Sequence, residues 1–467
     1  MSRESEKLFS GVTRIDDEII EQAQAAPGRR RRFYRKWMGP VAAILALAIL
    51  VSGLFGSRLI TSVYAVEQAV YPKYDVGRID PSGDSAEHFI KAGVPVFLSG
   101  SAGENRIFSP LCTYIALAMT AELTGGESRD QILSALGAKD LDSLRREAHE
   151  VWLSSYHSDE TGKSVLANSL WMNKDIRYES DVLKTLAENY YASSFSGKMG
   201  SRSLDWMLQN WLNAQTHGKL SDMASRESTR SRTDRNWTEL DVLTLASTVY
   251  FRGKWSQKFD GGTSPGVFHA PKGDVTADFM HQRLSGAYYW FDSFAAAAQG
   301  FTSGAVMWYI LPDEGVTPEE LLQDPQLLSF LAAEEPRDSN ADNRKYLYIN
   351  LAVPKFDVED EVEMSKGLQA MGVTDIFDRN VSDFTPLTRD PKAEEKGVWL
   401  SEAKQATRVL VDENGCEATT YIKFSFGAGT GGPPTDEVDF VLDRPFLFAV
   451  TNGTNGLPLF VGIVNRP

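Results

Sequence analysis

The stretch Val409–Pro434, VLVDENGCEATTYIKFSFGAGTGGPP, restricts the architecture of this chain more than any other. It opens on a strand-like run, Val409-Leu410-Val411, and turns polar at Asp412-Glu413-Asn414-Gly415. From Cys416 onward the residues alternate. Cys416, Ala418, Thr420, Ile422, Phe424 and Phe426 share one face; Glu417, Thr419, Tyr421, Lys423 and Ser425 share the other. Period two with one apolar face marks a strand able to lie on a core. The run then ends in Gly427-Ala428-Gly429-Thr430-Gly431-Gly432-Pro433-Pro434, which no regular element can hold. The plain reading is an edge strand without a hairpin partner in sequence, followed by a loop. A dinucleotide fingerprint is excluded. Gly427, Gly429 and Gly432 have its spacing, but that motif needs a helix opening at its last glycine, and prolines follow instead.

The remaining chemistry is sparse. With 467 residues the chain makes one large or two ordinary domains, and 42% hydrophobic residues suffice for a core. A net charge of -15 argues against nucleic acid as a partner. Cys112 and Cys416 form no disulfide framework, and the six histidines show no metal-ligand spacing. No Gly-x-Ser-x-Gly elbow is present, so neither metal nor catalytic residues are expected.

The N-terminus has a different character. Residues 1–37 are polar and end in Arg29-Arg30-Arg31-Arg32-Phe33-Tyr34-Arg35-Lys36. Met38 to Gly56 then carry no charge, about the length needed to cross a bilayer core. A basic cluster before such a span keeps the N-terminus cytoplasmic. The expectation is a retained anchor at 38–57, with the rest of the chain outside the cell. The long leading region and Ser52-Gly53-Leu54-Phe55 make a poor signal peptide. Residues 58–84 read as a juxtamembrane stalk, broken by Pro72, Pro81 and Gly83, and 85–467 as a mixed α and β domain. A surface insert, Ser225 to Asn236, is rich in Arg and Ser.

A series of landmarks gives this domain a familiar order. Asp412 to Ala418, followed further on by Asp443-Arg444-Pro445-Phe446, resembles the hinge and distal flank of a serpin reactive-centre loop. Ser109-Pro110 reads as a helix start, with a capping hydroxyl and a proline in the first turn. Leu166 to Trp171 resembles the family's strand at the far side of the main sheet, and Trp211 to Leu220 the end of the helix covering that sheet. Leu245 to Trp255, Ile310 to Gly315, Val353-Pro354-Lys355-Phe356, Leu368 to Phe377 and Pro458 to Gly462 continue the match to the end.

The resemblance implies an α+β serpin fold: a large central sheet, further sheets, flanking helices and an exposed reactive loop. It implies no cofactor, a serine protease as partner and a monomer. By the same carry-over Glu413, Gly415, Cys416, Glu417 and Ala418 form the loop hinge, and Thr420, Ile422, Phe424 and Phe426 the inserting face. Counting along the arm from Glu413 gives Gly429-Thr430 as the reactive bond, with Ala428-Gly429 next; counting back from Pro445 gives Pro434. Ser109, Ser247, Gln405 and Trp255 fall at the shutter and breach of the main sheet. Here the chain departs from the family. Ser247 and Gln405 stand where a hydrogen-bonded Asn and His are expected, and Cys112 where a serine is common. Glutamine both donates and accepts, so the polar groups can still satisfy one another. The function implied is a suicide-type inhibitor of elastase-like or subtilisin-like serine proteases. A non-inhibitory chaperone, carrier or surface protein is the alternative; a charge on the inward face or a proline in the arm would favour it, and the arm has neither.

Overall fold

The computed structural model describes residues 63–72, 84–101, 103–215, 243–333, 342–400, 403–416 and 434–467. The expected anchor, the cytoplasmic segment, the Arg/Ser insert and the arm from Glu417 to Pro433 lie outside these residues.

Two early helices show how the sequence sets the frame. Helix α1 (Asp84–Leu98) is amphipathic and buries Phe89, Ile90, Val94 and Phe97. Helix α2 (Pro110–Leu123) is mostly apolar, apart from Thr113, Thr120 and Glu122, and is buried at every position except Ala116. Proline does occupy its first turn, but Ser109 does not cap with its hydroxyl. Helices α3 (Gly126–Ala135), α4 (Leu141–Ser155), α5 (Ser180–Asn189) and α6 (Arg202–Gln215) follow.

Strands are numbered β1–β17 in chain order. A six-stranded sheet holds β1 (Val63–Glu67), β5 (Ala192–Gly197), β4 (Gly162–Asn173), β6 (Leu243–Lys254) and β14 (Gly415–Cys416) in that spatial order, with β3 (His157–Ser158) beside β4. A nine-stranded sheet runs β15 (Glu437–Val441), β11 (Arg344–Pro354), β8 (Val275–Trp290), β9 (Phe294–Gly300), β10 (Val306–Pro312), β16 (Phe446–Thr451), β17 (Pro458–Val464) and β2 (Arg106–Phe108), with β7 (Thr263–Phe268) on β8. Strands β12 (Phe356–Glu363) and β13 (Lys404–Val411) form a separate antiparallel pair. Helix α2 packs against both β6 and β17 and so occupies the centre of the fold. Helix α6 covers the other face of the six-stranded sheet, where Leu204 and Trp211 bury against Ala167, Trp171 and Phe195.

Two expectations change. Leu166 to Trp171 lies in the middle of the sheet, between β5 and β6, and is buried on both faces. Near-continuous burial, rather than alternation, is what an interior strand covered by helices on both sides requires. The far edge is instead β1, from the stretch expected as a stalk: Val63, Tyr64 and Ala65 pair with Gly197, Ser196 and Phe195. The valines and tyrosine of Val63-Tyr64-Ala65-Val66 suit a strand, which the breakers further along the stretch obscured. Among the described residues no helix is long and apolar enough to cross a membrane.

Candidate functional site

The hinge begins where β13 ends. Asp412 N donates to Gly415 O (3.2 Å) and Gly415 N to Asp412 O (3.3 Å), closing a tight turn over Glu413 and Asn414. Gly415 has φ +126°, and a Cβ there would lie 2.8 Å from Lys254 Cα, so both conformation and space demand glycine. The turn reverses the chain onto the end of β6. Gly415 pairs with Lys254 and Cys416 with Gly253, antiparallel. The two residues entering the arm already form the first rungs of a strand beside β6.

Three contacts hold this turn. Trp255 is buried, stacks on Phe301 (centroids 4.5 Å apart, 13° between planes), and its indole Nε1 donates to Asp412 O at 2.8 Å. Glu413 forms an ion pair with Lys355 at 2.8 Å. The lysine holds the Glu413 carboxyl below its ordinary pKa, chiefly through their hydrogen bond, and the same bond raises Lys355. Glu413 therefore contributes fully above the ordinary carboxylate pKa and fades as pH falls through its lowered value. Lys355 contributes fully below the ordinary lysine pKa and fades as pH rises through its raised value. Both side chains are partly exposed, so the pair is worth under about 1 kcal/mol. Glu413→Lys is expected to lower the thermal midpoint slightly at neutral pH, with the difference shrinking in high salt and the Glu413→Lys/Lys355→Glu exchange restoring it. Equal midpoints for all three proteins at low salt would show that the pair does not hold the turn.

Below the hinge the sheet is open. Among the described residues no ladder joins β6 to β13, although parts of the two strands lie within 8 Å at Cα. Leu245, Val249 and Phe251 of β6 pack on the main core but are only half-buried. In β13 the Thr407 hydroxyl is buried without a hydrogen-bond partner. Half-covered apolar side chains on one wall and an unsatisfied hydroxyl on the other mark a lane that a further strand would fill.

Helix α2 spans the bottom of this lane. Ser109 N donates to Gln405 Oε1 (2.7 Å), and Gln405 Nε2 donates to Ser109 O (3.1 Å) and Thr113 Oγ1 (2.9 Å). The Ser109 hydroxyl, freed from capping, donates to Leu459 O at 2.6 Å. On the other wall Ser247 Oγ donates to Asn168 Oδ1 (2.6 Å), and Asn168 Nδ2 to Tyr190 O (3.0 Å). Since that serine proton is committed, the Cys112 thiol is the donor in its 3.2 Å contact with Ser247. Burial pushes the Cys112 pKa up to about 11, so it remains a thiol at neutral pH.

Ser247 and Gln405 are thus satisfied, but not by each other. Gln405 ties β13 to α2, while Ser247 ties β6 to α2 and β4. The structure brings Ser109 and Gln405 together and sets Trp255 with Asp412 and Glu413 at the hinge. Glu417, Ala418, Thr420, Ile422, Phe424, Phe426, Ala428, Gly429 and Thr430 lie outside the described residues. Asn168, Thr113 and Lys355 were not singled out from the sequence as site residues, because their partners are remote in the chain. No cluster of His, Cys, Asp or Glu able to hold a metal occurs among the described residues.

A sequence profile of the family described as Serpin (serine protease inhibitor) matches residues 96–467. The chain is 26% identical to Serpin-ZX of Arabidopsis thaliana over 385 residues, covering 80% of this chain and 94% of that one. It is 26% identical over 409 residues to plasminogen activator inhibitor 1 of Neovison vison, covering 82% and 93%. In structure it is similar to the thermophilic serpin tengpin in the native state, with a TM-score of 0.70 at 22% identity, covering 86% of this chain and all of that one.

Proposed function

The chain belongs to the serpin family of serine protease inhibitors, and from that premise we propose that it is a membrane-anchored suicide inhibitor whose exposed tip is bait. The protease serine Oγ attacks the carbonyl carbon of Gly429. The Gly429–Thr430 bond breaks, Thr430 leaves as a free amine carrying the transferred proton, and Gly429 remains as an ester on the enzyme. The freed arm then enters the lane between β6 and β13, and the ester is trapped as the protease is carried along.

The observation that carries this reading is the hinge register. Continued from the pairs Gly415 with Lys254 and Cys416 with Gly253, it puts Ala418 opposite Phe251, Thr420 opposite Val249, Ile422 opposite Ser247 and Phe424 opposite Leu245. Residues directly opposite in a ladder point to the same face. Ser247 points at α2 through Cys112, so the apolar face of the arm lands on the core side, beside half-buried Leu245 and Val249. Thr420 would also come in beside the wall that holds the unsatisfied Thr407 hydroxyl.

On the outer face the same register sets Glu417, the one acid of the arm, opposite Arg252. There Lys163 already pairs directly with Arg252 across β4 and β6. Burial and then Arg252 lower the Lys163 pKa, as like charges side by side should. On insertion Glu417 would set a negative charge beside this like-charged pair. Arg252→Glu is expected to raise the moles of inhibitor consumed per protease trapped, leaving the rate of loop attack unchanged; Arg252→Glu with Glu417→Arg should recover trapping. No recovery would show that the register does not continue past Cys416.

The tip offers neither a cation nor an aromatic ring at the scissile position. Enzymes with shallow pockets lose nothing there, so elastase-like or subtilisin-like proteases are the proposed targets. Residues 38–57 are proposed to hold the chain in the membrane with the serpin domain outside. The test is to mix the protein with a panel of serine proteases, look for denaturant-resistant complexes, and map the cut by mass spectrometry. Cleavage without any complex would overturn the inhibitor reading. A stable complex cut after Lys423 would overturn the assigned bond.

A further inference from the structure

Strands β15, β11, β8 and β7 lie side by side and turn one face away from the core, since the alternate residues Phe440, Leu351 and Leu284 are buried on the other. Three rows of side chains cross the outer face, because residues directly opposite in a ladder share a face, as do residues two apart on a strand. Asp439, Asn350 and Arg283 form the first row, and Val441, Ala352 and His281 the second. Pro354, Phe279 and Ser264 form the third.

This grid is hollow. Ala352 sits in its middle with a methyl group where its neighbours carry larger side chains. A Cβ at Gly266 would meet the Phe279 ring at 2.7 Å, so glycine is needed for the ring to lie against β7, and that wall stays low. The result is a cavity of about 600 Å³, within the ~300–1,000 Å³ of small-molecule sites. Its lining is mainly apolar, and two of its side chains, Val267 and Val441, are left 52 and 39% exposed.

The charges around the hollow do not cancel. Arg283 pairs with Glu437 at 2.7 Å and lies 3.9 Å over the Tyr348 ring. Asp443 has Arg444 at 3.3 Å. His281 Nε2 and Ser264 Oγ share a hydrogen bond of 2.8 Å. Asp439 has only an amide: Asn350 Nδ2 donates to it at 2.8 Å while also donating to Glu437 at 2.6 Å, and among the described residues no cation pairs with it.

We propose that this hollow binds a small organic cation with a flat apolar body. The body lies on Ala352 between Val441 and Phe279, and its ammonium group meets the Asp439 carboxylate. An anion of the same shape is repelled by Asp439 and finds Arg283 already paired. Strand β15 is an edge strand held by one ladder, to β11. A guest that touches Asp439, Val441 and Phe279 bridges β15 to β8 across β11 and steadies that edge. None of these contacts involves β6, β13 or the hinge, so binding here is separate from the inhibitor reading.

Full-length protein in detergent micelles is titrated by calorimetry with tryptamine and with indole-3-propionic acid, with empty micelles as the blank. The two probes share one apolar body and differ in the sign of their charge. Tryptamine is expected to bind saturably, one per chain, and about tenfold more tightly than the acid. Asp439→Asn should remove that preference, and Ala352→Leu, which fills the hollow, should abolish binding of both. Amide exchange across residues 437–443 should slow when tryptamine is present. Equal affinity for the two probes, a preference that survives Asp439→Asn, or no saturable binding overturns the proposal. Unchanged exchange in 437–443 with tryptamine bound overturns the assigned place. If Ala352→Leu fails to fold, Asp439→Asn at its exposed position still decides the outcome.

Discussion

Ile422→Lys is expected to convert the inhibitor into a substrate. In the continued register Ile422 comes to lie opposite Ser247, over the Cys112–Ser247–Asn168 chain beneath the middle of the lane. Asn168 Oδ1 already accepts from Ser247, and the Cys112 thiol pKa is pushed up by burial, which shows how poorly the site supports charge. A lysine inserted there lacks a partner and costs several kcal/mol, of the order of ~3–5 for an unpaired buried charge. Each ~1.4 kcal/mol that reaches the insertion barrier shifts the partition tenfold, so trapping should fall by at least about a hundredfold. Loop cleavage should continue at the original rate. Tyr421→Lys is the control: its side chain faces away from α2, and trapping should be nearly unchanged. The readout is the yield of denaturant-resistant complex against cleaved inhibitor. Equal losses from both substitutions would mean that the arm does not enter in the register set by Gly415 and Cys416.

Trp255→Ala is the second large effect. The ring is buried, stacked on Phe301 and set edge-on to Phe259 at 5.8 Å, so its removal leaves a cavity worth about 3–5 kcal/mol. It also frees Asp412 O, which anchors the hinge turn to the end of β6. The expected result is a marked drop in thermal midpoint, together with loss of inhibitory protein on storage as uncut arms enter the open lane. Trp255→Phe keeps a ring on Phe301 but loses the indole hydrogen bond and part of the buried ring volume, about 1–3 kcal/mol together. It should lie between the parent and Trp255→Ala in stability while sharing some of the loss on storage. Equal destabilisation by both substitutions would show that the stack contributes little and the hydrogen bond most.

Local pattern made the family legible before any coordinates. A strand such as Leu245 to Trp255 or Pro458 to Gly462 is written in consecutive residues, and the order of many such stretches is specific even where each is weak. Gly415 was placed at the hinge by the resemblance alone; the structure adds that it takes positive φ, which glycine allows. The Ser109 hydroxyl was misjudged for the complementary reason. Ser-Pro at a helix start predicts a cap, but the acceptor that captured this proton, Leu459 O, lies 350 positions away.

By itself, then, the sequence determined the kind of fold, the alternating arm and the uncharged run near the N-terminus, since each is a property of neighbouring residues. Only the tertiary structure decided which walls the lane has, that Gln405 is held by Ser109 and Thr113 rather than by Ser247, and that Val63–Glu67 closes the far edge of the sheet. The physical reason is that periodicity states which face of an element is apolar but carries no information about what will cover it. Pairings such as Gly197 with Val63, or Lys254 with Gly415, form between stretches far apart in the chain. They are chosen by the packing of the whole core around α2, so they can be read only once that core has formed.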